Sequence, residues 1–236
     1  MKKCTKILFA LLLAVTMLFV VGCQEQMIDG QVVQGSYTWL RDGETLEEEG
    51  LRFSIGELDH LTVNTIANNV NIGTHIGSDI VIEYVPDAPG SGRYYHHIIR
   101  PRYVYVGGHL EIFRDVNLAN NTFIRGGTIN ILVPIHDGSV FESVSISTTN
   151  RDVNVSDFNA NSLIIDSINT GVNVSNVNIE NNLALQSTTG SIDVADSRIG
   201  GILSVATTNR NITLNNVETD MDNAELDVSH GDVVIN

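Results

Sequence analysis

Four residues at near-constant spacing, Asp157, Asn176, Asp196 and Asn216, are the first candidates for chemistry in this chain. Each lies two positions beyond a short apolar pair, so stacking the repeats would bring their side-chain oxygens into one column. Stacked carboxylate and amide oxygens are ligands for Ca²⁺. The same residue types also close tight corners by bonding local backbone and one another. The column mixes acids with amides, and the glycine-rich aspartate nonapeptide of calcium-binding β-rolls is absent. We therefore expect no metal and no cofactor, and read the four as a ladder on a binding face.

Other polar residues repeat in step. Thr148, Ser167, Ser187 and Thr207 follow the first apolar pair of each unit, and Asn150, Asn169, Thr189 and Asn209 precede a turn. Their expected role is to satisfy corner backbone groups. In the next column, Arg151, Thr170, Gly190, Arg210 and Gly231, glycine is expected to supply positive φ. His96, His97 and His109 lack any metal-ligand spacing, and adjacent strand residues point to opposite faces, so a structural or solvent-facing role is expected. No G-x-S-x-G motif, phosphate loop or paired-carboxylate motif occurs. Asp152, Asp193 and Asp232 are expected in different columns, which leaves no carboxylate cluster for glycoside chemistry.

These residues are positioned by a repeat. Val144-x-Ile146 precedes Val153-x-Val155, and Leu163-x-Ile165 precedes Val172-x-Val174. Leu183-x-Leu185 and Ile192-x-Val194 follow, then Leu203-x-Val205 and Ile212-x-Leu214, then Ala224-x-Leu226 and Val233-x-Ile235. The first pair leads the second by nine residues each time, and successive units start 19, 20, 20 and 21 residues apart. Such a period marks a solenoid, whose coils cannot bury their apolar faces alone. The expected fold is all-β: a right-handed, single-stranded parallel β-helix with rungs of about 20 residues. Alternation points Leu183, Leu185, Ile192 and Val194 inward and Thr213 outward.

Residues 51–140 are β-rich but irregular, and 141–236 hold the regular rungs. Leu61-x-Val63 and Val70-x-Ile72 repeat the nine-residue offset, and Ile80-x-Ile82-x-Tyr84 begins 19 residues after Leu61, which suggests a first coil. Gly107-Gly108 between two apolar runs reads as a hairpin. Ile129-x-Ile131-x-Val133 is a strand ended by Pro134. This half is expected to form a sheet capping the coils. The chain stops at Val233-Val234-Ile235-Asn236, inside a repeat, so either a longer array or strand addition by another molecule is expected there.

The amino-terminal segment reads as a signal peptide over residues 1–22. Lys2, Lys3 and Lys6 precede an apolar stretch from Ile7 to Val21, too short for a helix to span a bilayer. It ends in Val20-Val21-Gly22-Cys23, which resembles the lipobox of bacterial lipoproteins. That resemblance implies cleavage between Gly22 and Cys23, and lipid on the Cys23 thiol. The protein would then sit at the bacterial cell envelope, outside the cytoplasm, anchored to membrane without a span of its own. Residues 23–50, with Glu47-Glu48-Glu49, read as an acidic tether.

All three lysines fall in the signal segment, so the mature chain excludes Schiff-base catalysis. It sets ten arginines against 28 acidic residues, a net charge of about −18, which excludes nucleic acid as a partner. Acidic Asp220, Asp222, Glu225, Asp227 and Asp232 near the last repeat predict a monomer at low salt. With Cys4 in the signal and Cys23 lipidated, no disulfide is available.

The units Ser187-Thr188-Thr189-Gly190-Ser191-Ile192-Asp193-Val194 and Thr207-Thr208-Asn209-Arg210-Asn211-Ile212-Thr213-Leu214 resemble the β-strand repeats of a bacterial adhesin family, broadly a domain of unknown function on envelope proteins. Ile129 to Pro134 resembles the family's apolar strand ending in proline. The likeness covers roughly residues 51–236, and it implies non-catalytic binding of a glycan or envelope protein, adhesion or envelope sensing. A polysaccharide-processing β-helix enzyme and a structural spacer are the alternatives.

Overall fold

The computed structural model describes residues 26–28, 31–33, 44–46, 50–87, 100–113, 126–135, 138, 140–219 and 221–236. Gly22 and Cys23, the signal peptide, His96 and His97 lie outside them. Strands β1 (Gln26–Ile28) and β2 (Gln31–Val33) form an antiparallel pair in a unit ending at Gly43. The second unit, Glu44–Asn236, holds everything else. Its described residues are all-β apart from one 3₁₀ turn, Met221–Asn223, and the sheet they form is open rather than closed.

The regular part is built from long strands that bend. Strand β12 (Val153–Ser167) and β13 (Val172–Ser187) pair in parallel over almost their whole length, so each lines more than one face of the stack. On one face Val153 is opposite Val172, Val172 opposite Ile192, Ile192 opposite Ile212, and Ile212 opposite Val233. The last two contacts bring in β14 (Ile192–Ile199), β16 (Ile212–Thr219) and β18 (Val233–Ile235). On another face β11 (Ser143–Thr148) adjoins the second half of β12, which leads through β13 to β15 (Ile202–Thr207) and β17 (Ala224–Val228). A third, narrow face consists of residues 158–160, 177–179, 197–199 and 217–219.

Alternation decides what enters the core. Leu183, Leu185, Ile192 and Val194 are all buried, and Thr213 between Ile212 and Leu214 is not. The interior is a continuous column of aliphatic side chains with Phe141 and Phe158 in tilted contact, ring centroids 5.8 Å apart. Burial of this apolar surface is the main force holding the coils together. The serine and threonine column is buried too. Ser167 Oγ and Ser187 Oγ both donate to the Thr170 carbonyl, at 3.1 and 3.0 Å, and Thr207 Oγ1 donates to the Gly190 carbonyl at 3.0 Å. These hydroxyls satisfy corner carbonyls that water cannot reach.

The amino-terminal part of the unit caps the stack. Strands β5 (His60–Thr65) and β6 (Asn69–His75) make a rung beneath β11 and β12. Beneath it lies a rung from later in the chain, β9 (His109–Phe113) and β10 (Gly127–Pro134), parallel to β5 and β6. Antiparallel strands finish this end: β8 (Arg102–Val106) beside β9 with β3 (Glu44–Thr45) outside it, and β7 (Asp79–Pro86) beside β10 with β4 (Leu51–Ser54) outside it. The β8–β9 link is the expected hairpin, with Gly107 and Gly108 at φ 57° and 80°. Both central residues at positive φ suit the right-handed twist of the flanking strands.

Three expectations are corrected. Ile80 to Tyr84 does not extend the first coil, because β7 runs antiparallel to β10 and joins the cap. Asp152 and Asp232 share a column, each just before a stacked valine, though three rungs separate them and Asp193 sits elsewhere. Gly190 and Gly231 do not have positive φ. Glycine is needed there for close approach: a Cβ on Gly190 would lie 1.7 Å from the Thr170 carbonyl oxygen, and one on Gly231 2.2 Å from that of Arg210. Arg151 fits the same column, and its guanidinium bonds the Asp87 carboxylate at 2.7 Å.

Candidate functional site

The left-handed conformation missing from the glycines belongs to the Asp157 column. Asp157, Asn176, Asp196 and Asn216 have φ of 54°, 51°, 49° and 53°, and are the only non-glycine residues with positive φ among those described. Asx side chains tolerate this conformation, which costs most other residues roughly 1–2 kcal/mol. Each therefore turns the strand sharply from its broad face onto the narrow third face. All four are exposed. The side chains also bond in pairs: Asn176 Nδ2 donates to Asp157 Oδ1 at 2.5 Å, and Asn216 Nδ2 donates to Asp196 Oδ1 at 2.8 Å. Acid and amide alternate up the column, so no carboxylate has another acid as its neighbour there.

Beyond the corner, the third face adds a second polar column. Asn159, Asn178, Arg198 and Glu218 are neighbours on successive rungs. They point outward because the residues flanking them, Phe158 and Ala160, Val177 and Ile179, Ser197 and Ile199, are buried. Arg198 Nε lies 3.8 Å from Glu218 Oε1, and both side chains are well exposed. The two columns line a groove of about 700 Å³ that also borders Thr74 and the apolar Val133, Pro134, Ile135 and Val140, of which only Ile135 is exposed. Ile135 is 71% exposed.

The structure thus brings all four sequence-predicted ladder residues together and adds Asn159, Asn178, Arg198 and Glu218. The added residues had a signal. Phe158-x-Ala160 and Val177-x-Ile179 continue the alternation past each corner residue. A second ladder, on the adjoining broad face, was also readable in the apolar-Asn-apolar triplets. Asn71 Nδ2 donates to Asn130 Oδ1 at 3.1 Å, Asn154 to Asn71 at 3.0 Å, and Asn173 to Asn154 at 2.9 Å.

His109 Nε2 lies 3.0 Å from Thr62 Oγ1, and its ring meets that of His60 edge-on at 6.1 Å. His60 Nδ1 lies 2.9 Å from Ser143 Oγ. Among the described residues no three of His, Cys, Asp and Glu gather closely enough to hold a metal ion.

No curated protein matches the sequence. A crystal structure of a putative cell adhesion protein from Clostridium sporogenes ATCC 15579 aligns over 81% of this chain and 96% of that one, at 11% identity and a TM-score of 0.40. The model of the Toastrack DUF4097 family, a domain of unknown function, matches residues 58–236, and the chain belongs to that family.

Proposed function

We propose that this protein is a non-catalytic, adhesion-like module of the bacterial cell envelope, held to the membrane by lipid on Cys23 and presenting its groove to a ligand. One observation carries the binding role: two columns of polar side chains are fixed at the pitch of the sheet along a groove that the exposed Ile135 also borders. Strand pairing pre-orders these groups, so a ligand need not pay for ordering them. On this reading the coil is right-handed and single-stranded with rungs of about 20 residues, the hand that parallel crossovers take.

The anchor rests on the Val20-Val21-Gly22-Cys23 box after a charged and apolar leader. Cys23→Ser should leave the precursor uncleaved and unlipidated, seen by mass spectrometry; an unmodified mature terminus elsewhere in the unaltered protein would refute it. For binding, the purified full chain immobilised in detergent should retain material from a bacterial envelope fraction without turning it over. Release of shortened polysaccharide would favour an enzyme, and no retention would leave only a spacer.

A further inference from the structure

We propose that the groove takes an uncharged, hydroxyl-rich polymer, a neutral polysaccharide, lying along the stacking direction. This deepens the binding role above and rests on it. The lining decides the class by chemistry. Asp157, Asp196 and Glu218 set three negative charges against Arg198, which already has Glu218 beside it, so an anionic polymer is repelled. A peptide adding as a strand needs an unpaired sheet edge. Residues 177–179 and 197–199, in the middle of the groove floor, are paired on both sides and offer side chains and no edge; a strand could add only beside 217–219 at one end.

What remains suits sugar. An amide carries two N–H donors and an acceptor oxygen, and a carboxylate accepts through two oxygens. Asn176 and Asn216 each use one donor on the neighbouring aspartate. Asn178 is exposed and makes no side-chain hydrogen bond among the described residues. Donors and acceptors in pairs are the partners that adjacent hydroxyls require. The exposed Ile135 offers an apolar contact for the C–H face of a sugar ring. An Asx side chain recurs at the corner of every rung, about 4.8 Å apart, which favours a repeating chain over a single small molecule.

The test uses the full chain in detergent and three hexamers: β-1,4-linked glucose, β-1,4-linked N-acetylglucosamine and, as the anionic control, galacturonate. At least one neutral hexamer should bind by calorimetry, with affinity changing less than about twofold on raising the salt well beyond physiological strength, since no ion pair forms. Asn178→Ala combined with Ile135→Ser should weaken binding by about tenfold or more, equivalent to about 1.4 kcal/mol. Asn173→Ala, on the neighbouring ladder, should bind as the unaltered chain does. Matching melting curves would establish that both variants fold; if the double variant unfolds, Asn178→Asp alone serves, and unchanged affinity there counts against the groove. Failure of both neutral hexamers, equal loss in Asn173→Ala, or tighter, salt-sensitive binding of galacturonate would overturn the proposal. If envelope material is still retained while both neutral hexamers fail, the neutral-glycan assignment falls and the binding role stands.

Discussion

The two ends of the stack solve one problem differently. At the amino-terminal end the parallel rungs are closed off by antiparallel strands, β8 with β3 and β7 with β4. At the other end, among the described residues, β17 and β18 have a rung on one side only. Burial follows the difference. Leu61, Val70, Leu110 and Ile129 near the capped end are fully buried, as are Leu203 and Ile212 one rung from the open end. In the last rung Ala224 and Leu226 are only partly covered, while Val233 and Ile235 are 42% and 56% exposed. A solenoid coil gains its core from its neighbours, so the same apolar pattern is worth less wherever one neighbour is missing.

The sharpest test compares equivalent leucines. Leu185 is 2% exposed with rungs on both sides, and Leu185→Ala should cost about 2–5 kcal/mol in denaturant unfolding. Leu226 occupies the same column at the open end, and Leu226→Ala should cost only about 1 kcal/mol, because part of its surface already faces water. Equal losses would mean that the open end is covered in solution. Thr213→Ala, pointing outward between two buried residues, should change stability by less than about 0.5 kcal/mol.

The corner column gives a smaller effect. Asn176→Ala removes the bond to Asp157 and the short polar side chain that makes φ 51° tolerable to a residue with a β-carbon, for an expected loss of about 1–2 kcal/mol. Asn176→Gly should lose less, because glycine adopts positive φ freely. Asn216 makes the corresponding turn at the rung before the open end, and there Ala should cost less than at Asn176. If Gly is worse than Ala at position 176 by thermal melting, the left-handed turn is not what selects Asx at these corners.

The same contrast explains what could be read from the chain. Where rung follows rung, each pairing joins residues 19 to 21 apart and repeats the last, so Val153, Val172, Ile192 and Ile212 announce their register locally. The corner residues were legible for the same reason, though their left-handed backbone was assigned to the glycine column, where close packing against Thr170 and Arg210 is the actual constraint. The third face was harder to read because each stretch such as Phe158-Asn159-Ala160, a short part of the much longer β12, carries only a single apolar-polar-apolar step. The cap was illegible in detail because its pairings skip along the chain. β10 lies beneath β6, some 60 residues earlier, while β11 lies above β5. No local pattern distinguishes such an order from a simple succession of coils. Ile135 follows a strand-ending proline, and only the fold reveals that it walls a groove.

The smallest expected effect concerns the open edge itself. Strand edges with unpaired backbone groups invite another strand, and exposed Val233, Val234 and Ile235 would reinforce the contact. Charge opposes it. Asp222, Glu225, Asp227 and Asp232 are all exposed around the last rung, and a second copy would bring the same set against them. At low ionic strength this repulsion reaches tens of ångströms, whereas near molar salt it is screened within about 3 Å. The chain made without its first 23 residues, and so without leader or lipid, should therefore scatter light as a monomer at low salt and show weak self-association as salt rises. Replacing Asp227 and Glu225 by Asn and Gln should move the onset to lower salt. The capped end makes no such prediction, because its outermost strands β3 and β4 are antiparallel additions to the stack and its core stays covered. A stable dimer at low salt, joined through residues 224–236, would show that edge pairing outweighs charge and that the open end is a self-interface.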